Sequence, residues 1–358
     1  MKKKITFVIN SIEGGGTEKH LLQLVKYLKK KYQICIFSFK SGRLKKFFIE
    51  QDIEVKFPET HNNNVIFFLK FLFNTNTDLY HFFLPKAYII GGLLTFFSSK
   101  KKIMSRRSLN NYHKKYFNIS LYVERLLHKK MNLILTNSIF VKKQLIEKED
   151  VEENKIVVIK NFFSFPRKKL SLKKKLGLGN SEKIFASVAN LIPYKNHIHL
   201  IKACSKIKLR NWKLLFIGED RNHYKLQLEK EIKKYDLRKN IIFTGYLDDI
   251  EMYLDDLEFI VNVSNEEGSS NSLLQGLAAG VPILASNIDT NREFVEHNKN
   301  GFLFKKGNVK DLIKYLEIFL ESKDTKTMRI KSKQIFNKRF NLKASIDGYF
   351  DVYKKLID

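Results

Sequence analysis

Residues 264–280 read Ser-Asn-Glu-Glu-Gly-Ser-Ser-Asn-Ser-Leu-Leu-Gln-Gly-Leu-Ala-Ala-Gly, after the strand-like run Leu257–Val263 and before Pro282–Ala285. The pattern predicts a strand, a polar turn, a helix of small residues starting at Asn271 or Ser272, and another strand. That is the repeating unit of a parallel α/β sheet. A helix that begins just past a strand end points unpaired backbone N–H groups outward, which suits a phosphate. Glu267 stands just before the helix and Gln275 eight positions later, so both can face one ligand at different depths. An ordinary N-capped helix with a solvent-facing Glu267 fits the same pattern, and the stretch alone leaves both readings open.

Working outward, the same alternation continues on either side. Upstream, strands are predicted at Ile184–Val188, Trp212–Ile217 and Ile241–Thr244, with helices at His197–Ile207, Tyr224–Tyr235 and Ile250–Leu254; Arg292–Val295 and Gly301–Phe304 follow downstream. The run Asn161–Asn180, with Pro166, Gly177 and Gly179, breaks the pattern and reads as a linker. Before it the alternation appears again. Ile5–Ile9, Gln33–Phe39, Ile53–Phe57, Leu79–Phe82, Lys102–Ser105, Leu133–Thr136 and Lys155–Ile159 are strand-like, and Glu18–Lys30 is a helix behind the loop Gly14-Gly15-Gly16. The reading is α/β: two Rossmann-like, doubly wound parallel-sheet domains, 1–162 and 181–341, joined by 163–180. Such sheets bind ligands at the carboxyl ends of their strands, so the expected site is a central cleft that the two domains face.

A chain of 358 residues with 44% hydrophobic and 29% charged side chains is globular in composition and long enough for two cores. Its two cysteines, Cys35 and Cys204, exclude a disulfide framework and a four-thiolate zinc site. Met1–Lys4 and the short run after it do not form a secretory signal, and Leu79–Ser99 is interrupted by His81, Pro85 and Lys86, too broken to span a bilayer. The expectation is a cytoplasmic protein. The net charge of +29 admits nucleic acid, an anionic membrane or phosphorylated substrates as partners, and also fits a general excess of Lys. There is no D-x-D triplet, Walker A sequence, G-x-S-x-G elbow or H-E-x-x-H.

Glu267-Gly268, Gln275-Gly276, Ala278, Gly280 and Pro282 resemble the E-G-x-x-x-x-x-x-E-A-x-A-x-G-x-P-V signature of retaining glycosyltransferases of family 4, the glycosyl transferases group 1, which have the GT-B fold. Gln275 replaces the usual Glu and Gly276 the usual Ala; Glu293 and Gly301 match further on. Ala186–Ala203 is similar to the family segment G-R-L-x-x-x-K-G, with Lys195 at the phosphate-binding lysine and Asn190 in place of the arginine. Gly15-Gly16-Thr17-Glu18 resembles the N-domain loop over the donor phosphates, although Glu18 also reads as a helix first-turn acid. Arg106 and Arg107 are similar to an S-R-R segment of lipid-linked-sugar relatives, and His81 falls where many relatives carry a His facing the donor sugar. The last helix, 342–358, looks like the family's terminal helix that crosses back onto the N-domain.

The resemblance implies a nucleotide-sugar donor, read as a UDP-sugar, and a glycan or lipid-linked glycan acceptor. It implies Glu267 on the sugar, Gln275 on the ribose, and Lys195 with the helix start Asn271, Ser272 and Leu273 on the diphosphate. Asn190, Gly15 and Gly16 complete the donor contacts, with Glu267, Lys195 and His81 nearest the chemistry. Arg106, Arg107 or Glu18 would touch phosphate or acceptor. No metal or other cofactor is expected, because the absence of a D-x-D triplet disfavours a metal-chelated donor; Lys195 would stabilise the departing phosphate. The Asn190 and Gln275 departures also fit a pseudoenzyme or a sugar-nucleotide epimerase on this fold. A nucleic-acid binder using Phe67, Phe68 and Phe71 would leave the donor-site spacing as coincidence. The segments Ser41–Phe48 and Val65–Phe73 are expected either to touch an anionic membrane at the inner face of the cell or to send their Phe side chains into the core.

Overall fold

A computed structural model turns this alternation into two parallel sheets. The structure describes residues 2–58, 64–109, 119–163, 168–220, 223–322 and 325–358; Pro166 of the expected linker lies outside them. The contact pattern divides the chain into one unit of 1–162 with 342–358 and a second of 163–341.

The first unit contains β1 (Lys4–Ile9), α1 (Gly16–Leu28), β2 (Gln33–Ser38), α2 (Lys45–Ile49), β3 (Glu54–Lys56) and α3 (Asn64–Asn74). It continues with β4 (Leu79–Phe83), α4 (Pro85–Leu94), β5 (Lys101–Arg106), α5 (Ile119–Lys130), β6 (Leu133–Thr136), α6 (Ile139–Glu149) and β7 (Ile156–Val158). The strands form a parallel sheet in the order β3-β2-β1-β4-β5-β6-β7. Its strands read as near-continuous apolar runs because both faces are covered. On one face Phe7, Ile36 and Ile103 pack with Leu21, Leu24 and Val25 of α1. On the other, Phe37, Phe82 and Met104 pack with Phe68 of α3, Tyr88 of α4 and Leu127 of α5.

The second unit runs α7 (Leu172–Leu176), β8 (Lys183–Val188), α8 (His197–Cys204), β9 (Trp212–Ile217), α9 (Tyr224–Lys234), β10 (Ile241–Gly245) and β11 (Leu257–Asn262). Then come α10 (Asn271–Ala279), β12 (Ile283–Ser286), β13 (Gly301–Phe304), α11 (Val309–Glu321) and α12 (Lys326–Arg339), while α13 (Leu342–Ile357) returns to the first unit. The parallel order is β10-β9-β8-β11-β12-β13. The strand order therefore reverses between β8 and β11, and between β1 and β4 in the first unit; such switch points open the crevices that α/β sheets use for ligands.

Three expectations change. The helix expected at Ile250–Leu254 is a 3-10 helix over Ile250–Asp256, and Arg292–Val295 overlaps another at Asp289–Glu293. Part of the expected linker belongs to the second core. Leu172 of α7 is fully buried, and the Asp256 carboxylate accepts from Ser171 Oγ at 2.7 Å and Lys173 N at 2.9 Å. A five-residue helix has little sequence period, and this docking stabilises it together with its caps, Ser171 accepting from Lys174 N and Gly177 in the left-handed region. Among the described residues no helix is long and apolar enough to cross a membrane.

Candidate functional site

β8 and β11 end side by side at the switch point of the second sheet, and their following loops meet there. The loop after β8 makes a 3-10 turn, Pro193–Lys195, that ends on Asn196 in the left-handed region. The loop after β11 docks on it through Asn265 N, which donates to Tyr194 O at 3.0 Å. This docking brings Lys195 Nζ to 2.5 Å from Glu267 Oε1, both side chains being largely buried. Two more groups donate to the same oxygen, Ser264 Oγ at 2.8 Å and Asn262 Nδ2 at 3.2 Å.

The frame continues into α10. Asn262 Nδ2 also lies 3.4 Å from Ser270 Oγ, and Ser270 is the N-cap of α10, accepting from Leu273 N. Ser270 Oγ in turn lies 3.1 Å from Ser272 Oγ. Ser286, at the end of β12, ties the Ser264 carbonyl at 2.7 Å. Lys195, Glu267 and the start of α10 are thus one continuous polar network across the ends of β8, β11 and β12. Burial would pull the Lys195 pKa down, but Glu267 beside it, with Tyr194 and Glu266, outweighs burial and raises it. The ammonium stays charged. Its neighbour His197 is fully buried, and neither ring nitrogen has a partner among the described residues. Burial first and then the Lys195 charge push its pKa down to about 3.

The structure brings together Lys195, Glu267, Ser272 and Leu273 of the expected site. It also spends one group on the cap, since the Leu273 N–H assigned to a phosphate donates to Ser270 Oγ. Asn271 opens the same helix. Asn190 holds the neighbouring loop, its Oδ1 accepting from Glu219 N at 3.3 Å. Gln275 sits a turn further along α10, with Nε2 donating to Glu251 Oε1 at 2.5 Å. Asn262, Ser264 and Glu251 are functional candidates that the sequence reading passed over. A signal for Asn262 existed, because it is the one polar residue of the stretch Phe259–Val263.

The first unit corrects two expectations. His81 does not face a ligand: it is fully buried, with Nδ1 2.8 Å from Tyr353 Oη of α13 and Nε2 2.8 Å from Ser105 Oγ. Both ring nitrogens are satisfied inside the core. Arg106 is no phosphate contact either. It is buried against Glu124 and lies 2.8 Å from Glu149, and His128 joins the group through Glu149 at 2.8 Å and Tyr88 Oη at 2.7 Å. Glu124, His128 and Glu149 have ligand atoms within 4.8 Å of one another, but the Arg106 guanidinium bridges the two carboxylates, so the cluster is a buried ion-pair network. Arg107 is half-buried and donates to Asn161 Oδ1 at 2.6 Å.

Gly15 is the N-cap of α1, and a Cβ there would stand 2.5 Å from the Glu18 carboxylate. A larger residue at Gly15 would therefore have to displace the Glu18 carboxylate. Gly16 follows it, exposed, as the first residue of the helix. Glu18 is buried in the first turn of α1, and Ser11 Oγ donates to it at 3.1 Å. It stands where an acid faces the positive end of a helix.

The chain's two halves match two family models. Residues 168–335 match Glycosyl transferases group 1 and residues 14–164 match Glycosyltransferase Family 4. An uncharacterized glycosyltransferase of Haemophilus influenzae is 23% identical over 98% of this chain and 99% of its own length. The N-acetylgalactosamine-N,N'-diacetylbacillosaminyl-diphospho-undecaprenol 4-alpha-N-acetylgalactosaminyltransferase of Campylobacter jejuni is 24% identical, covering 89% and 90% of the two chains. Among solved structures, Anabaena HepE in complex with UDP and glucose superimposes with a TM-score of 0.88 at 20% identity, over 99% of this chain and 100% of that one.

Proposed function

The chain belongs to the GT-B glycosyltransferases, and from that premise we propose that it moves a sugar from a nucleoside diphosphate donor with retention at the anomeric carbon. The donor is a UDP-sugar carrying a hexosyl or N-acetylhexosaminyl group. Support for UDP comes from the HepE complex, whose fold this chain shares. The acceptor is a glycan or lipid-linked glycan of a cell-surface polysaccharide. The Campylobacter jejuni relative, named for a diphospho-undecaprenol substrate, supports that class. Synthesis then runs on the cytoplasmic side, at the membrane face.

One observation carries the reading: the charged Lys195, paired with Glu267 and tied through Asn262 to the N-cap of α10 at a switch point. A donor diphosphate brings about two negative charges to a place that already concentrates an ammonium and a helix N-terminus. As the sugar–phosphate bond breaks, the added charge on the departing phosphate is held by Lys195 and the α10 amides, donors set before the reaction begins. Glu267, released from the ammonium by the phosphates, is free to take sugar hydroxyls. Its Oε1 keeps Asn262 and Ser264 as donors, which makes that oxygen a poor nucleophile. That favours a same-face reaction, in which the leaving phosphate helps to deprotonate the acceptor, over a covalent intermediate.

Lys195→Ala is expected to lower kcat/KM roughly a hundredfold, on the order of 3 kcal/mol for one preorganised electrostatic contact. Full activity in that variant would remove the proposal. A thermal-shift panel of UDP-, GDP- and ADP-sugars tests the donor, because a specific ligand at 100-fold its Kd stabilises by about 2.7 kcal/mol. The UDP-sugars are expected to give the largest shift. The transfer needs no metal, so turnover should survive EDTA; a loss restored by a divalent cation would contradict that part.

A further inference from the structure

We infer that the outer layer formed by α3, α4 and α5 is a docking face for an anionic lipid bilayer. These three helices cover β2, β1 with β4, and β5 on one side of the first sheet, with Phe68, Tyr88 and Leu127 pointing into a shared core. Their inward faces account for part of the Phe-rich sequence, and Phe68 and Phe71 are core residues. The outward faces are also apolar. Phe73 is 88% exposed, Phe97 just past α4 is 96% exposed and Tyr122 is 68% exposed, with Leu93 and Leu126 about half exposed. The second unit has four large exposed hydrophobics among its described residues, and they fall on separate elements. Soluble surfaces rarely gather large apolar side chains on one layer without a partner.

The charge around this layer selects the partner. The three helices carry one carboxylate, Glu124, which is buried and paired with Arg106. Against it stand the exposed Lys70, Lys86, Lys129 and Lys130 on the helices and Lys100 and Lys101 at the start of β5, while Asp78 at the same edge is engaged by Lys3 and the Lys4 N–H. Helices between parallel strands run back along the sheet, so the ends of α3, α4 and α5 gather at one edge, with Phe73, Phe97 and most of these lysines. Along α5, Tyr122, Leu126 and Lys130 fall at helical spacing on one stripe. The Lys130 ammonium lies 4.8 Å over the Phe96 ring, next to Phe97.

Capping of helix ends does not account for these cations. Lys102 already serves the end of α4, donating to the carbonyls of Thr95 at 2.9 Å and Ser98 at 2.8 Å, and Lys100 and Lys101 are surplus to it. In α9, Lys225–Lys234 are interleaved with Glu229 and Glu231; α12 is as basic as the outer layer and has no carboxylate, but among the large hydrophobics it exposes Ile330 alone, so basic and apolar side chains do not coincide there. Lysine is depleted at protein–protein interfaces, whereas aromatic side chains among lysines fit the headgroup region of an anionic leaflet. The expected contact residues shift accordingly. Of Ser41–Phe48, Phe48 is buried, and of Val65–Phe73, Phe73 with Val65 and Ile66 faces out.

This docking face depends on the first unit alone and not on the donor chemistry of the second. Vesicle co-sedimentation of the full chain, without donor or acceptor, therefore fails or succeeds independently of the proposed reaction. The chain is expected to bind phosphatidylcholine vesicles containing about a third phosphatidylglycerol at about 0.05 M salt, and to be released at about 0.5 M salt. Pure phosphatidylcholine should bind it much less. Phe73→Ser with Phe97→Ser should weaken binding at least about tenfold, and Lys100→Glu with Lys129→Glu likewise. All four residues are exposed, so the thermal melting of both variants should stay within a few degrees of the parent. No binding to the anionic vesicles, or parent-like binding by both variants, overturns the inference. So does a dimer in the parent that the Phe variant converts to monomer, since the face would then belong to a second copy.

Discussion

Glu267 Oε1 accepts from Lys195, Ser264 and Asn262 at once, and this crowding separates binding from turnover at a single residue. Without ligand the carboxylate neutralises the ammonium, so a diphosphate must compete for Lys195. Glu267→Gln removes the competitor's charge. UDP is expected to bind the variant at least as tightly as the parent in calorimetric titration, while kcat falls by more than tenfold because the sugar contact is weakened. Weaker UDP binding with unchanged kcat would show that Glu267 serves only to support the loop. That Glu267, Lys195 and the start of α10 lie close together was legible in the sequence, because all three follow strand ends. The same signal was misleading at His81 and Arg106. Each is a polar residue at or near a strand end, a pattern shared by ligand contacts and by buried polar pairs. The difference lies in partners that arrive from elsewhere, Tyr353 for His81 and Glu124 with Glu149 for Arg106.

At the scale of elements, α10 shows how a departure from a sequence pattern can be compensated in space. Gly276 stands where the resemblance leads one to expect Ala, and a Cβ there would lie 2.8 Å from Ile260 Cδ1 of β11. The isoleucine methyl occupies the missing side chain's place. Gly276→Ala alone gains about 1 kcal/mol of helix propensity and loses about as much or more to overpacking. Combined with Ile260→Val, which removes that methyl, the pair should be more stable than the sum of the single changes by at least about 0.5 kcal/mol, read from denaturant unfolding. Additive effects would mean that the two sites do not share the space. Gly301 is stricter: a Cβ would come within 1.8 Å of the Ile283 carbonyl oxygen on the adjoining strand, and no rotamer relieves a backbone contact. The strand–helix alternation was legible because buried parallel strands are continuous apolar runs and amphipathic helices have a period. The short elements were not, α7 and the 3-10 turn at Ile250–Asp256 among them, because docking rather than period stabilises them.

For the molecule as a whole, buried neutral histidines couple stability to pH. Burial holds His20 and His81 well below the ordinary histidine range, with Arg107 adding repulsion to both and His81 adding more to His20, and His197 lies at about 3. Their unfolded values are higher, so as pH falls the unfolded chain takes protons first and stability drops. Each histidine contributes a slope of up to about 1.4 kcal/mol per pH unit below roughly pH 6.5, and none above it. Urea unfolding from pH 7.5 to 5 should show this loss. His197→Phe, which removes a ring with unpartnered nitrogens, should flatten the slope in the second unit; a profile flat in the parent would contradict the burial of all three. Two of these histidines depend on the end of the chain, since α13 supplies Tyr349 to His20 at 3.1 Å and Tyr353 to His81 at 2.8 Å. Periodicity, turn residues and strand-to-helix spacing act over short stretches of chain, so the two doubly wound sheets and the start of α10 at Asn271 were readable from the residues alone. Only the tertiary structure decided that Lys195 and Glu267 form one ion pair, that His81 and Arg106 are interior, and that Phe73 and Phe97 are not. Whether a side chain meets solvent, ligand or a neighbour depends on residues tens to hundreds of positions away, and local pattern carries no record of them.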